Sequence, residues 1–140
     1  MADPTRPLPS LHEPDTREFW EATKQHELRF QRCDRCKRVV FYPRHHCTHC
    51  LSDSLYWETS SGEGTLYTFS VVRQSYHPFF QPRVPYAVAW IDLDEGFRMM
   101  SNVIGVEDPA RDLVIGQRVR VEWEDHESVS IPLFRPIGST

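Results

Sequence analysis

Two identical Cys-x2-Cys pairs in the first half of the chain and five short strand-like segments in the second half predict a mainly β protein. The predicted architecture is an N-terminal helix and a rubredoxin-like zinc ribbon, followed by a five-stranded OB-fold barrel. A length of 140 residues suits one ordinary domain plus a small satellite and excludes a large multidomain enzyme. We divide the chain into a Pro-rich leader with a short helix (1–27), the ribbon (28–58) and the barrel (59–140).

The first segment combines a Pro-rich leader with a helical pattern. Three prolines within residues 1–10 fix the backbone in extended conformations, which favours a solvated tail over an arm that wraps a partner. No Gly or Pro interrupts residues 15–27, and apolar residues recur there at spacings of three. We expect an amphipathic helix whose aromatic pair, Phe19-Trp20, docks on the rest of the protein.

The cysteines have the spacing of a four-thiolate metal site. The pairs are Cys33-x2-Cys36 and Cys47-x2-Cys50, separated by ten residues. Each pair can wrap a metal in a tight turn, and a hairpin through residues 39–42 would unite them as the tetrahedral set that Zn2+ prefers. Disulfides, free core thiols, a redox pair and a rubredoxin-like iron site are the alternatives. Four protein ligands leave no open position, so the metal is expected to be structural.

Two features near the cysteines depart from the commonest zinc knuckle. Glycine often follows the second cysteine of each pair because the backbone turns tightly there, whereas this chain has Lys37 and Leu51. Three histidines beside the second pair leave open a Cys3His site, although we expect them at the surface. They are His45, His46 and His49.

The barrel half contains five predicted strands and one short helical turn. The strands are expected at residues 64–72, 86–93, 97–104, 117–125 and 129–134, and the turn at 107–112. In the first strand, Tyr67, Phe69 and Val71 are expected to share one face. Pro132 marks the fifth as an edge or terminal strand. This order matches the Greek key of an OB barrel, although other small barrels share the pattern.

Charge is unevenly distributed along the chain. The net formal charge is −4, and the acidic excess lies after residue 59, where 7 Arg face 11 Asp and Glu. Residues 28–50 carry six Lys and Arg against one Asp, which makes this stretch a candidate anion-binding face. No apolar run approaches the roughly 20 residues that span a bilayer, and residues 1–10 lack a signal-peptide core. We expect a soluble, non-secreted, cytoplasmic protein.

No catalytic constellation is recognisable in the sequence. A Gly-rich phosphate loop, an H-E-x-x-H motif and a G-x-S-x-G motif are all missing. His77 and His126 could each serve as a base, but a lone His in a barrel loop is more often a surface or packing residue. The chain is not expected to be an enzyme by itself.

The connection between the first two barrel strands, residues 73–85, is rich in aromatic residues and prolines. Adjacent exposed aromatics usually mark contact with a ligand or a protein, although Phe79 and Phe80 could instead fold back to cap a small barrel. We expect a contact surface on this loop. Its candidate residues are Tyr76, His77, Phe79, Phe80 and Arg83.

Motifs in all three segments match one known family. They are Phe19-Trp20, Leu28-x2-Gln31-Arg32-Cys33-x2-Cys36, Tyr42-Pro43-Arg44-x2-Cys47-x2-Cys50, Gly62-x-Gly64-Thr65-Leu66-Tyr67-Thr68-Phe69, Pro85-Tyr86, Glu95-Gly96-x-Arg98, Ile115-Gly116 with Val119, and Pro132-x2-Arg135-Pro136. Across residues 15–136 the chain therefore resembles an acyl-CoA-associated zinc-ribbon and OB-fold family, long catalogued as domain of unknown function 35.

The resemblance implies a non-catalytic accessory subunit that binds and completes a thiolase-superfamily enzyme, a thiolase or a thiolase-like retro-aldolase, in acyl-CoA metabolism. Members resemble scaffolds of hetero-oligomers that help form the acyl-CoA channel, some of them in steroid side-chain degradation. The same resemblance implies Zn2+ on the four cysteines, and a partner or acyl-CoA on the 73–85 loop. The candidates for contact with CoA phosphates are Arg35, Lys37, Arg38 and Arg44.

The alternative function is a single-stranded nucleic-acid-binding protein, because OB barrels and zinc ribbons both serve that role. The acidic barrel half argues against it, since tracking a nucleic-acid strand needs a positive groove.

Overall fold

A computed structural model describes residues 5–137, and its elements follow the predicted order of helix, ribbon and barrel. Residues 1–4 of the predicted leader lie outside the described residues. The elements are α1 (Pro14–Thr23), β1 (Arg29–Cys33), β2 (Val39–Val40), β3 (Leu55–Thr59), β4 (Glu63–Val72), a 3-10 turn (Gln81–Arg83), β5 (Tyr86–Leu93), β6 (Arg98–Val103), α2 (Pro109–Asp112), β7 (Arg118–Asp125) and β8 (Ser130–Pro136). None of the helices in this part of the chain has the length and hydropathy of a membrane span.

Helix α1 is shorter than predicted because the chain turns sharply after Thr23. His26 adopts a left-handed backbone with φ of 59°. Its N–H donates to the Thr23 carbonyl at 2.9 Å, and the Glu27 N–H donates to the Ala22 carbonyl at 3.2 Å. This pair of bonds is a Schellman motif, in which a glycine usually takes the place of His26. The motif ends the helix and directs the chain into β1.

The strands form a three-stranded ribbon sheet and a closed five-stranded barrel. The ribbon order is β2-β1-β3, and the barrel order is β4-β5-β6-β8-β7, closed by pairing of β4 with β7. The predicted Greek-key OB barrel is therefore confirmed. Pro132 lies in the terminal strand, β8, which pairs along its length with β7 but with β6 only at Val103 and Phe134. The proline lacks the N–H that a longer ladder with β6 would need.

The prediction that Tyr67, Phe69 and Val71 share one face of β4 is wrong at Tyr67. The pairing of β4 with β5 shifts by one residue between Leu66 and Thr68, which is a β-bulge. Leu66 is buried in the barrel core, whereas Tyr67 is exposed. The Arg98 guanidinium carbon lies over the Tyr67 ring, 3.5 Å from the centre of the ring. The strict alternation that we assumed for Tyr67, Phe69 and Val71 does not survive the inserted residue.

Helix, ribbon and barrel share one hydrophobic core. Phe30 of β1 stacks on Phe97 of the barrel with ring centroids 5.0 Å apart, and Phe41 lies 4.7 Å from the same ring. Phe19 of α1 meets Phe41 edge-on at 5.9 Å. Such aromatic pairs add to the stabilisation by apolar burial. The ribbon and the helix are consequently fixed on the barrel.

Candidate functional site

The four predicted cysteines meet at the end of the ribbon. Their four sulfur atoms all lie within 4.8 Å of one another. Cys33 Sγ lies 3.5 Å from Cys50 Sγ, and Cys36 Sγ lies 3.6 Å from Cys47 Sγ. These distances are far longer than a disulfide bond of about 2.05 Å. They approach the edge of about 3.8 Å that a tetrahedron with metal–sulfur bonds of ~2.3 Å has. The donor set fits a four-coordinate structural metal.

Both cysteine pairs use the same backbone turn. The Lys37 N–H donates to the Cys33 carbonyl at 2.8 Å, and the Leu51 N–H donates to the Cys47 carbonyl at 3.0 Å. Lys37 and Leu51 have φ of 65° and 67°, in the left-handed region that favours glycine. The departure from glycine therefore leaves the knuckle shape intact.

Backbone amides favour the thiolate at three of the four cysteines, and the net pKa falls at two of them. The Cys36 N–H, 3.5 Å from Cys33 Sγ, is the main cause that lowers the pKa of Cys33 to about 6. Burial raises the pKa of Cys47, but the N–H groups of Cys50 and His49 outweigh it and keep the pKa below its usual value. At Cys50, a hydrogen bond from the Ser52 N–H lowers the pKa of the thiol. Burial and the neighbouring thiols have a larger combined effect and raise this pKa to about 11. A divalent cation held by this cluster would supply the positive charge that stabilises thiolate ligands.

The three neighbouring histidines do not join this cluster. His45, His46 and His49 are exposed, and the His49 Nδ1 lies 3.2 Å from an Arg38 guanidinium nitrogen. Among residues 5–137, the potential metal-ligand group contains only the four cysteines. The Cys3His alternative is therefore not supported.

The basic stretch of the ribbon is partly neutralised by its surroundings. All four phosphate candidates, Arg35, Lys37, Arg38 and Arg44, are exposed. Lys37 Nζ pairs with Asp34 at 3.0 Å, and Arg38 contacts His49. Within the described chain, Arg35 and Arg44 form no ion pair. Arg35 and Arg44 are therefore the two candidates whose guanidinium groups have no partner side chain among the described residues.

The predicted contact loop, residues 73–85, is exposed only in part. Tyr76 is 86% exposed, and His77 and Arg83 are also exposed. Phe79 is only 7% exposed because two guanidinium groups cover its ring, that of Arg83 at 3.7 Å and that of Arg6 at 5.5 Å. The expectation of an exposed aromatic pair is therefore wrong for Phe79. The ring is not part of the buried cluster that forms the barrel core.

An apolar groove that the sequence did not predict lies beside this loop. It forms where α1, the turn after β2 and strands β5, β6 and β8 meet, and its volume is about 400 Å³. The lining of the groove includes Trp20, Phe41, Tyr86, Met99 and Leu133. No sequence signal indicated it, because the lining comes from segments far apart in the chain.

Arg6 of the leader contributes to the groove, which corrects the expectation of a solvated tail at this residue, whereas Thr5, Pro7, Leu8 and Ser10 are exposed as expected. The Arg6 side chain is only 13% exposed and pairs with Glu124 at 3.4 Å. Leu11 packs against the buried cluster of Val129, Ile131 and Leu133. The Arg6 side chain and Leu11, which follows the leader, therefore join this segment to the barrel.

The outer face of the barrel carries its own neutralising partners. Four arginines of the barrel form ion pairs, three across neighbouring strands and one, Arg118–Asp94, with the turn after β5; the other three are Arg98–Asp92, Arg120–Glu63 and Arg135–Glu122. Hydrogen bonds from Arg118 and Arg135 hold the pKa values of Asp94 and Glu122 below their usual range. These cations are engaged, so the face does not present the positive track that a nucleic-acid strand requires.

The two candidate bases lack a nucleophile. The His77 Nδ1 accepts a hydrogen bond from the Phe79 N–H at 3.1 Å, and the His126 Nε2 lies 2.6 Å from a Glu124 carboxylate oxygen. Within residues 5–137, neither ring is hydrogen-bonded to a hydroxyl or a thiol. This arrangement gives no support for covalent catalysis by the chain.

Comparison with known proteins identifies both halves of the structure. Residues 20–55 match the rubredoxin-like zinc ribbon domain of ChsH2, and residues 57–124 match the C-terminal OB-fold domain of ChsH2. A probable enoyl-CoA hydratase alpha subunit from Thermomonospora curvata is 37% identical over 135 residues, which are 94% of this chain and 40% of the relative. The 3-oxo-4,17-pregnadiene-20-carboxyl-CoA hydratase alpha subunit of Mycobacterium tuberculosis is 35% identical over 123 residues, 87% of this chain and 38% of the relative.

The chain thus spans about two fifths of the length of these two curated relatives. A solved structure described as the Ltp2-ChsH2(DUF35) aldolase matches more completely. One of its chains superposes with a TM-score of 0.81 and 33% identity, covering 94% of this chain and 98% of that chain. The order of ribbon and barrel, the four cysteines and these matches agree. The chain belongs to the ChsH2 (DUF35) family of zinc-ribbon and OB-fold proteins.

Proposed function

We propose that this chain is a non-catalytic accessory subunit that binds and completes a thiolase-superfamily enzyme, a thiolase or thiolase-like retro-aldolase, in acyl-CoA metabolism. The observation that carries the proposal is the match to one chain of the Ltp2-ChsH2(DUF35) aldolase over nearly the full length of both. The names of the two hydratase alpha subunits, one for a pregnadiene-carboxyl-CoA, favour steroid side-chain degradation as the setting. The absence of a nucleophile–base pair from residues 5–137 supports a non-catalytic role.

The proposed occupant of the four-cysteine site is Zn2+ in a structural role. Four sulfur ligands close a tetrahedral coordination sphere and leave no position for water or substrate. Reduced thiols persist in the cytoplasm, which is the compartment that we propose for the protein.

The proposed contact surface combines the exposed part of the 73–85 loop with the apolar groove. Tyr76, His77 and Arg83 would contact the partner enzyme. Phe80 belongs to the same loop and also lines the groove. Phe79 would support the loop from beneath. The groove would contribute to the acyl-CoA channel, with Arg35 and Arg44 of the ribbon near the CoA phosphates.

Co-expression tests the accessory role. Thiolase-superfamily enzymes from the same organism are produced with and without the tagged chain, and co-purification and acyl-CoA turnover are measured. We expect one enzyme to co-purify and gain activity or solubility, and the lone chain to turn over no acyl-CoA. Turnover by the lone chain that disappears in His77→Ala or His126→Ala would overturn the proposal. Tight binding of a single-stranded oligonucleotide would favour the alternative function.

Two substitutions separate a contact residue from a supporting one. Tyr76→Ala should weaken assembly about tenfold or more, because exposed aromatics are frequent interface hot spots, and should leave the melting temperature of the free chain unchanged. Phe79→Ala should lower that melting temperature, because it removes a buried ring. Unchanged assembly in Tyr76→Ala would remove this loop from the interface.

A further inference from the structure

Arg6 lines two neighbouring chambers at the surface of the barrel. The groove of about 400 Å³ and a neighbouring cavity of about 330 Å³ share Arg6, Phe80, Tyr86, Asn102 and Leu133 in their linings. The Arg6 guanidinium lies 5.3 Å from the centre of the Phe80 ring. It is the one charged group that both chambers share. A ligand that occupied both chambers would lie beside its guanidinium.

The leader holds Arg6 in this place by side-chain contacts alone. Within the described chain, no hydrogen bond joins the backbone of residues 5–9 to the barrel. Segments without backbone hydrogen bonds are among the first to detach locally from a fold. The position of Arg6 therefore depends on its ion pair with Glu124 and its contacts with two aromatic rings.

Glu124 has a second partner that would remain if Arg6 moved away. The His126 Nε2 lies 2.6 Å from the Glu124 carboxylate, closer than Arg6 at 3.4 Å. Moving Arg6 would leave the carboxylate paired. A guanidinium that turned away from Glu124 but stayed in the cavity, by contrast, would need a new anion, because a charge in a desolvated site is costly when it is unpaired.

We propose that Arg6 selects the ligand of this groove: an elongated apolar molecule that carries an anionic group, which takes the place of Glu124 on the guanidinium. This inference rests on the proposed function for the role of the groove and specifies which molecules the groove accepts. Apolar linings contribute affinity without distinguishing charge, whereas a charge-assisted hydrogen bond to Arg6 rewards an anion. Arg6 is thus a specificity-determining residue.

Binding of two matched probes to the full chain tests the selection. Decanoate and decan-1-ol have the same chain length and differ in charge, and isothermal titration calorimetry measures the affinity of each. We expect decanoate to bind about tenfold more tightly than decan-1-ol. Arg6→Gln keeps the polar reach but removes the charge, and should reduce this preference to near unity. Arg120→Gln, on the outer face of the barrel, is the matched control and should keep the preference.

The fluorescence of Trp20, which lines the larger chamber, locates the probe. Decanoate should change the emission of the unsubstituted chain, and Trp20→Phe should abolish that change while calorimetric binding persists. No binding of decanoate, equal affinity for both probes, a preference retained in Arg6→Gln, or an emission change retained in Trp20→Phe would each overturn the inference. None of these measurements includes a partner enzyme, so failure of co-purification alone would refute the proposed function and leave the selection by Arg6 standing.

Discussion

Removing the metal should unfold the cysteine end of the ribbon and leave the barrel folded. Cys47→Ser removes one of four ligands, and a strong chelator under reducing conditions removes the ion itself. Cys47 is buried and its sulfur lies 3.6 Å from that of Cys36, so the substitution removes a ligand from the interior of the cluster. Both treatments should affect residues 33–54 first.

The magnitude follows from how little else holds this end together. The cluster around the metal buries only Cys33, Val40 and Cys47. Burial of one valine side chain contributes about 1.5–3 kcal/mol. A structural Zn2+ contributes on the order of 10 kcal/mol in zinc-finger peptides. The root of the ribbon differs, because Leu28 and Phe30 belong to the barrel core and keep their packing without metal.

Hydrogen exchange with mass spectrometry distinguishes the two regions. Amides of residues 33–54 should lose protection after chelation, while those of β4 to β8 should keep it, and elemental analysis should give one zinc per chain. His46→Ala, at an exposed histidine beside the second pair, is the control and should retain the metal. Less than half an equivalent of metal in the untreated protein, or loss of protection throughout the barrel, would refute the reasoning.

The remaining predictions concern backbone fit and acid stability. Gly64→Ala should destabilise by about 1–3 kcal/mol in denaturant unfolding, because a Cβ there would lie 2.4 Å from the Asp92 carbonyl oxygen; an unchanged midpoint would contradict it. Leu51→Gly should melt about 3 °C above Leu51→Ala, since glycine relieves about 1 kcal/mol of left-handed strain that alanine retains. Asp112, with a pKa lowered to about 2 by Arg111, and Asp125, whose pKa Ser130 and His26 lower, stabilise the fold above the unfolded aspartate value. That stability should be lost as the pH falls from about 4 towards 2, so a melting temperature that is flat over this range would contradict it.

The predictions that succeeded depend on contacts between residues close in sequence. The cysteine site needs two short pairs and one hairpin, so its spacing alone indicated the ligands. Strand β5 was expected at residues 86–93 and is found at Tyr86–Leu93, because a continuous apolar run between turn residues has few other solutions. Both features are decided locally.

The predictions that failed depend on distant partners or on unusual backbone conformations. A bulge at Tyr67 and a left-handed His26 are conformations that alternation and helix periodicity do not encode. Arg6 reaches Glu124, and its residue type alone favours solvent. The burial of Phe79 follows from the positions of two guanidinium groups, of which one belongs to the leader. The groove arises from such long-range contacts, and for that reason the sequence analysis missed it.

The structural metal and the apolar groove belong to one mechanical unit, although no cysteine lines the groove. One wall of the groove is the turn that follows β2, including Phe41 and Tyr42. The Met100 N–H of β6 donates to the Tyr42 hydroxyl oxygen at 2.9 Å, which joins this wall to the barrel. Val40 of β2, the residue before the turn, packs in the cysteine cluster. A metal that fixed this cluster would also fix the start of the wall, so the proposed structural Zn2+ would influence the shape of the groove without taking part in catalysis.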